Sequence, residues 1–330
     1  MAAIRKRSWR TAAGEERTGW TVDFTDANGK RHWKQFALRR DADAYRIEIE
    51  GKLKAGTFRP DASRITVAGL VEAYLEHVEG RQKRGERFTA QHLAVVRGHL
   101  NNYVAPSADH AAKRKRKGKS RVTPFTDGVG GVKLAQLTAR TVGEFRDRLR
   151  DAGVSVVTTR KILASLSAAL EYAIGQDWLA VNAAKGVKVI GRRDEGAKKI
   201  VPPSKATVKV LLGEADEDFR VKLLFAVATG VRAGELHALR WRHLDLKAAE
   251  VTIETRVDAY GEEDTTKTAA GVRTIPMSAA LVASLKAWKL RSKWKKADDL
   301  VFPNGRGSYV DHSDMVKRKY LPLFDALAKK

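Results

Sequence analysis

The sequence predicts a mainly α, multi-domain fold with small β elements, and three observations carry that prediction. Apolar residues recur at helical spacing through most of the 330 residues, period-two alternation is confined to a few short runs, and stretches rich in proline or charge divide the chain. At roughly 100–200 residues per domain, such a length suits two or three domains. An apolar fraction of 43% against 31% charged residues suffices for ordinary cores. With no cysteine, disulfides, thiolate zinc sites and cysteine nucleophiles are excluded. No apolar run approaches the roughly 18 residues that span a bilayer, and the opening MAAIRKRSWR lacks the apolar stretch of a signal peptide. A soluble, cytoplasmic protein is expected.

Residues 1–60 read as a small α+β module. Trp20, Val22 and Phe24 alternate with polar residues, Asp26-Ala27-Asn28-Gly29 marks a turn, and His32, Trp33 and Phe36 resume the pattern. Alternation on both sides of Asn-Gly is the signal of a β-hairpin. A helix follows, which Asp41 can cap, with Ala44, Ile47 and Leu53 near one face and an end before Gly56. Lys30, Arg31 and Lys34 flank the turn and make either a ribbon for a DNA groove or a solvated hairpin face; the sequence leaves both open.

Residues 61–190 read as a helical bundle. Thr66 caps a helix whose Val67, Leu70, Val71, Tyr74, Leu75 and Val78 form one continuous stripe. Thr89, Thr138 and Ser155 begin three more, carrying Leu93, Val96, Leu100 and Tyr103, then Val142, Phe145 and Leu149, then Ile162, Leu163, Leu166, Leu170 and Ile174. Between the second and third helices lies an insertion, 106–131, in which Lys113, Arg114, Lys115, Arg116, Lys117 and Lys119 crowd too much charge to fold alone. It either touches phosphates or is a solvated loop.

A third domain, 200–330, begins at Pro202-Pro203. Helical pattern runs from Ser204 to about Ala215 and from Phe219 to Ala228. Strand-like runs cover Val251–Thr255 and Val272–Pro276, and helices lie near 278–292 and 313–328.

The net charge of +24 needs a counter-charge, and nucleic acid phosphate is the commonest one. Residues 1–60 hold 14 basic and 8 acidic residues, 61–200 hold 26 and 14, and 201–330 hold 23 and 17. Every section is basic, so the whole chain is expected to lie along a polyanion. A basic structural nucleic-acid-binding protein is compatible with composition alone.

The most informative stretch is 228–246, ATGVRAGELHALRWRHLDL. A helix stops at Gly230 and another starts around Arg232, a junction suited to an anion. Arginine stays charged and offers a planar fork to phosphate oxygens, and Glu235, one turn on, can fix its orientation. Spacing alone fits an ordinary helix pair with a surface Arg–Glu pair equally well.

This stretch resembles the first-arginine motif of the tyrosine recombinases, the phage and genomic-island integrases, and it matches across 228–246. The domain order is similar too: the N-terminal module resembles an arm-type DNA-binding domain and the bundle a SAM-like core-binding domain. Thr266-Lys267-Thr268 with Gly271–Pro276 resembles the family's lysine hairpin, which makes Lys267 the candidate general acid; by itself it is a turn lysine. The resemblance implies a reaction without metal or cofactor, in which a tyrosine attacks DNA phosphate, a 3′-phosphotyrosyl intermediate forms, and Arg232, Lys267 and the supporting Glu235 stabilise the transition state. Double-stranded attachment-site DNA and other recombinase protomers are the implied partners, the nucleoid of a prokaryotic host the implied place, and no membrane or small-molecule substrate is expected.

An H-x-x-R motif and the tyrosine nucleophile should follow the segment resembling Val301–Gly305, yet only 27 residues follow Pro303, and His312 precedes Ser313-Asp314-Met315. Tyr309 and Tyr320 both stand before the place of the family's H-x-x-R, so neither takes the nucleophile's role. The expectation is a catalytic domain without its last portion, which binds DNA but does not recombine it alone. A catalytically silent protein that occupies attachment sites is the alternative. Phosphate contacts are expected from Arg5, Lys6, Arg7, the 113–119 cluster and Thr159-Arg160-Lys161.

Overall fold

The computed structural model describes residues 2–10, 16–26, 29–86, 88–107, 125–191, 195, 201–265 and 271–328. The fold is mostly helical with small antiparallel sheets. Two compact units divide the chain, Met1–Gly196 and Ala197–Lys330. Among the described residues no helix is long and apolar enough to cross a membrane.

The first unit holds two separate cores. Strands β1 (Ala3–Arg10), β2 (Glu16–Thr25) and β3 (Arg31–Phe36) form an antiparallel sheet in that order. Sequence alternation predicts only the β2–β3 hairpin; β1 is an addition. Its charges hid it, but a charged edge strand is a stable choice because charge blocks pairing with another chain. The turn closes with Lys30 N–H donating to Asp26 Oδ1 (2.9 Å) and Gly29 at φ +79°. Helix α1 (Arg39–Lys54) starts after Leu38, so Asp41 lies in the first turn and is not the cap. The predicted face is corrected in part: Leu53 packs against the core as expected, but Ile47 is exposed, while Ala42 and Ile49 are buried and Tyr45 packs beside Phe24 and Phe36.

Helices α2 (Val67–Lys83), α3 (Ala90–His99), α4 (Ala139–Asp151) and α5 (Val156–Gly175) build the second core. Thr66, Thr89, Thr138 and Ser155 cap them as expected, each side-chain oxygen accepting a backbone N–H at 3.2 Å. All six stripe residues of α2 are buried. At about 1.5–3 kcal/mol per buried Leu or Val against about 1 for a cap, packing rather than capping holds the bundle. A single π turn, Leu100–Val104, continues α3. Val67 and Ala68 N–H then donate to the carbonyls of Val132 and Gly130, which ties the end of the insertion to the start of α2. The cluster Lys113, Arg114, Lys115, Arg116, Lys117 and Lys119 lies outside the described residues.

In the second unit, α6 (Lys205–Glu214) is capped by Ser204 and α7 (Glu217–Thr229) by Asp216. The short α8 (Ala233–Ala238) follows, then β4 (Leu244–Asp245), β5 (Glu250–Ile253), β6 (Thr255–Val257), β7 (Glu263–Thr265), β8 (Arg273–Pro276) and α9 (Ala279–Arg291). α10 (His312–Met315) runs through a π turn into α11 (Leu321–Ala328). The strands make a sheet in the order β4-β5-β8 and a pair β6-β7. Phe225, Leu236, Leu239, Trp241, Val251, Leu285 and Phe302 share the core that anchors α7, α8 and the sheet.

Candidate phosphate-binding site

Arg232 owes its place to how α7 ends. Thr229 Oγ1 donates back to the Phe225 carbonyl (2.7 Å), and Gly230 caps the helix in the left-handed conformation at φ +64°. The chain reverses and Arg232, in extended conformation, becomes the N-cap of α8. Gly234 is needed next, because a Cβ there would stand 2.6 Å from the Val257 carbonyl oxygen of β6. This close approach, with Leu236 and Leu239 in the core, fixes α8 against the strands.

Glu235 is the node of the site. Only 3% of its side chain is exposed, and it accepts four donors. Oε2 receives the Arg232 backbone N–H (2.9 Å) and Arg273 Nη2 (2.7 Å), while Oε1 receives Arg232 Nη1 (3.0 Å) and Arg273 Nη1 (3.2 Å). Burial pushes the carboxyl up, but the hydrogen bonds from Arg273 and from the Arg232 backbone and side chain outweigh it and hold it down at about 2. Glu235 is therefore a carboxylate at any working pH. Arg232 spends one guanidinium nitrogen on it and keeps the rest of a 79% exposed side chain in solvent. Since α8 has six residues, the positive field here comes from guanidinium groups more than from a helix end.

Sequence reasoning missed Arg273. Its signal was its alternation with exposed Thr274 and Pro276: Arg273 shares the inward side of β8 with Ile275, where a charge needs a partner.

Lys267 lies outside the described residues. β5 and β6 are separated by Glu254 alone, and β7 and β8 return along them, Val257 opposite Glu263 and Ile253 opposite Arg273. The turn is 258–262, closed by the Asp258 N–H to the Glu262 carbonyl (3.0 Å).

A second buried cluster sits between α7 and α8. Lys222 is 8% exposed and its Nζ lies 3.3 Å from His237 Nδ1. Burial lowers the ammonium to about 8. Burial, then the nearby Lys222 charge, depress His237 to about 3, and its buried Nε2 has no hydrogen-bond partner among the described residues. Among the described residues no carboxylate forms an ion pair with Lys222. It borders a cavity of 770 Å³ walled in part by Phe219, Trp288, Phe302 and Met315.

Both late tyrosines contact neighbours within the second unit. Tyr309 donates to Glu263 and accepts from Arg240 Nη2 (2.9 Å). Burial and then Glu263 push it up. Tyr320 packs edge-on against Phe219, and burial raises it as well.

The contacts expected in the first unit divide. Arg5 and Arg7 lie on the solvent face of the sheet, opposite Thr21 and Gly19, whereas Lys6 alternates to the other side, opposite Trp20. Arg31 shares the Arg5 face but is already bidentate to Asp23 (Nε to Oδ1 2.8 Å). The same face carries Trp33, 69% exposed. Lys30 is exposed, and Lys34 Nζ sits 4.5 Å above the Tyr45 ring. On α5, Thr159 is fully buried, so its expected phosphate contact is corrected: position 159 falls on the apolar face with Ile162 and Leu166. Arg160 donates to the Val189 carbonyl (2.9 Å), and Lys161 is exposed.

Comparisons with known proteins agree with this architecture. Residues 204–330 match the family described as the phage integrase family. The chain is 23% identical over 321 residues to a tyrosine recombinase XerC-like protein of Caldanaerobacter subterraneus subsp. tengcongensis, covering 88% of this chain and 75% of the relative. It is 26% identical over 172 residues to the ICEBs1 integrase of Bacillus subtilis, with 51% and 45% covered. Among solved structures, the Tn1549 transposon integrase in complex with transposon right end DNA aligns with a TM-score of 0.57 at 19% identity, over 81% of this chain and 79% of that one. A lambda integrase dimer bound to a COC′ core site aligns at 0.52 and 16%, over 97% and 80%. The structural likeness is one of fold.

Proposed function

Because the chain belongs to the tyrosine recombinase family, we propose that it is an integrase-type, site-specific DNA recombinase that grips the backbone of double-stranded attachment-site DNA with Arg232. The observation that carries this reading is the exposed Arg232 guanidinium, held from below by a buried carboxylate. Cutting and rejoining DNA through a phosphotyrosyl intermediate needs fixed positive donors around a five-coordinate phosphorus. Arg232 supplies one, Glu235 orients it, and Lys267 is the candidate acid that protonates the leaving 5′-oxygen.

Recognition is divided along the chain. Arg5, Arg7 and exposed Trp33 on one sheet face suit a groove, and Lys30, Lys161 and the 113–119 cluster suit phosphates. Other protomers on the same DNA are the proposed protein partners, and the cytoplasm is where these meet. Tyr309 is held by Glu263 and Arg240 and the Tyr320 ring packs on Phe219, so neither takes the nucleophile's role in this reading.

Selection from a pool of random duplexes, followed by titration of the enriched sequence, tests the reading. Arg232→Gln should weaken binding about tenfold and flatten its salt dependence. An unchanged affinity, with no sequence enriched, would sink it. A denaturation-resistant protein–DNA adduct on a nicked duplex would overturn the exclusion of Tyr309 and Tyr320.

A further inference from the structure

We propose that Arg273 is a positioning residue that neutralises Glu235, so that Arg232 meets a DNA phosphate as a net cation; this rests on the reading of Arg232 given above. An arginine tied to a carboxylate is electrically half spent. If Glu235 had Arg232 as its only cation, the pair would be neutral. A phosphate could then draw the guanidinium away only by leaving a charge buried without a partner. The geometry removes that conflict. Arg273 approaches Glu235 with both terminal nitrogens, 3.2 Å to Oε1 and 2.7 Å to Oε2, the two-pronged arrangement that binds carboxylate best. Arg232 uses one side-chain nitrogen and its backbone N–H. Two guanidinium groups and one carboxylate leave the trio with one net positive charge, and the unspent part of it is on the exposed Arg232.

Arg273 itself is a poor phosphate ligand. It is 31% exposed, and Nη1 also donates to the Gly271 carbonyl (3.1 Å). It acts through Glu235.

Among the described residues no other charge close to Glu235 takes this part. On β6, which packs against α8, Arg256 is paired with Asp264 of β7 (3.0 Å). On α8, His237 turns to Lys222 of α7. Hydrogen bonds from Arg273, then those from Arg232, are what hold Glu235 ionised. With Arg273 removed, burial dominates and the carboxyl titrates at a higher pH. At neutral pH it then cancels Arg232, and on acidification it takes up a proton and restores the net charge.

The test is duplex-DNA affinity of the full chain by fluorescence anisotropy, from pH 7.5 to 5. Arg273→Gln should bind about tenfold more weakly at pH 7.5 and recover as pH falls, while the unaltered protein stays flat. Arg273→Lys, which keeps the charge, should stay within about threefold of the parent, as should the double variant Arg273→Gln/Glu235→Gln, whose site again carries one positive charge. Thermal unfolding reports whether Arg273→Gln is folded; if it is not, the lysine and double variants carry the comparison. Unchanged binding by Arg273→Gln would overturn the proposal. So would a weakness that neither acid nor Glu235→Gln relieves, which would make Arg273 structural or a direct ligand. If Arg232→Gln binds like the parent, the DNA-site reading fails instead.

Discussion

Two buried charges lie one helix junction apart, and they are handled in opposite ways. Glu235 is surrounded by two guanidinium groups and a backbone N–H, and it stays ionised down to about 2. Lys222 has a neutral imidazole at 3.3 Å and, among the described residues, no carboxylate, and it falls to about 8. The first charge is stabilised by its surroundings and fixes a reactive neighbour in place; the second is tolerated by the fold at a cost in stability. Burial by itself does not mark a functional group. What marks one is a charge whose compensation leaves a neighbour exposed and oriented.

The largest effect should come from breaking the compensated node. Arg273→Ala leaves a buried carboxylate with half its partners and should destabilise the second unit by about 3–5 kcal/mol. The readout is hydrogen exchange at core amides such as Trp241, which donates to the Asp299 carbonyl (3.1 Å). A loss below about 1 kcal/mol would erase the contrast between the two clusters.

Lys222→Met should do the reverse and stabilise by roughly 3 kcal/mol at pH 7. The sign follows from the lowered ammonium: charge burial costs stability wherever both states are protonated, below about 8, and costs nothing above the ordinary lysine value of 10.5. The gain should therefore shrink as pH rises from 8 to 10.5 in urea titrations. A variant less stable than the parent at pH 7 would show that Lys222 has a partner the geometry does not reveal.

Tyr309→Phe should have the smallest effect, about 1 kcal/mol. The Arg240–Glu263 ion pair (2.6 Å) remains when the phenol is removed. A much larger loss by the same measurement would give Tyr309 a weight comparable to the Glu235 node.

What the sequence revealed followed sequence distance. The four capped helices and the α2 stripe were legible because a cap and the backbone N–H that donates to it are three residues apart and a stripe repeats within one turn. Arg232 with Glu235 was legible for the same reason. Strand β1 was not, since its partner β2 begins beyond residues 11–15 and its outward side is charged. Arg273 was not, because it meets Glu235 across 38 positions that only the folded sheet closes. Thr159 and Lys222 stood in plain view: each occupies an apolar stripe, Lys222 three residues from both Phe219 and Phe225, and that period outweighed their polarity.

The central claim is that Glu235 is a buried, fully ionised carboxylate whose charge Arg273 carries. A 13C NMR titration of side-chain-labelled glutamate in the full chain, assigned through Glu235→Gln, measures it directly. The Glu235 carboxyl should remain ionised until the pH approaches about 2, and Arg273→Lys should move its titration upward. Titration at or above the ordinary 4.5 in the unaltered protein would contradict it.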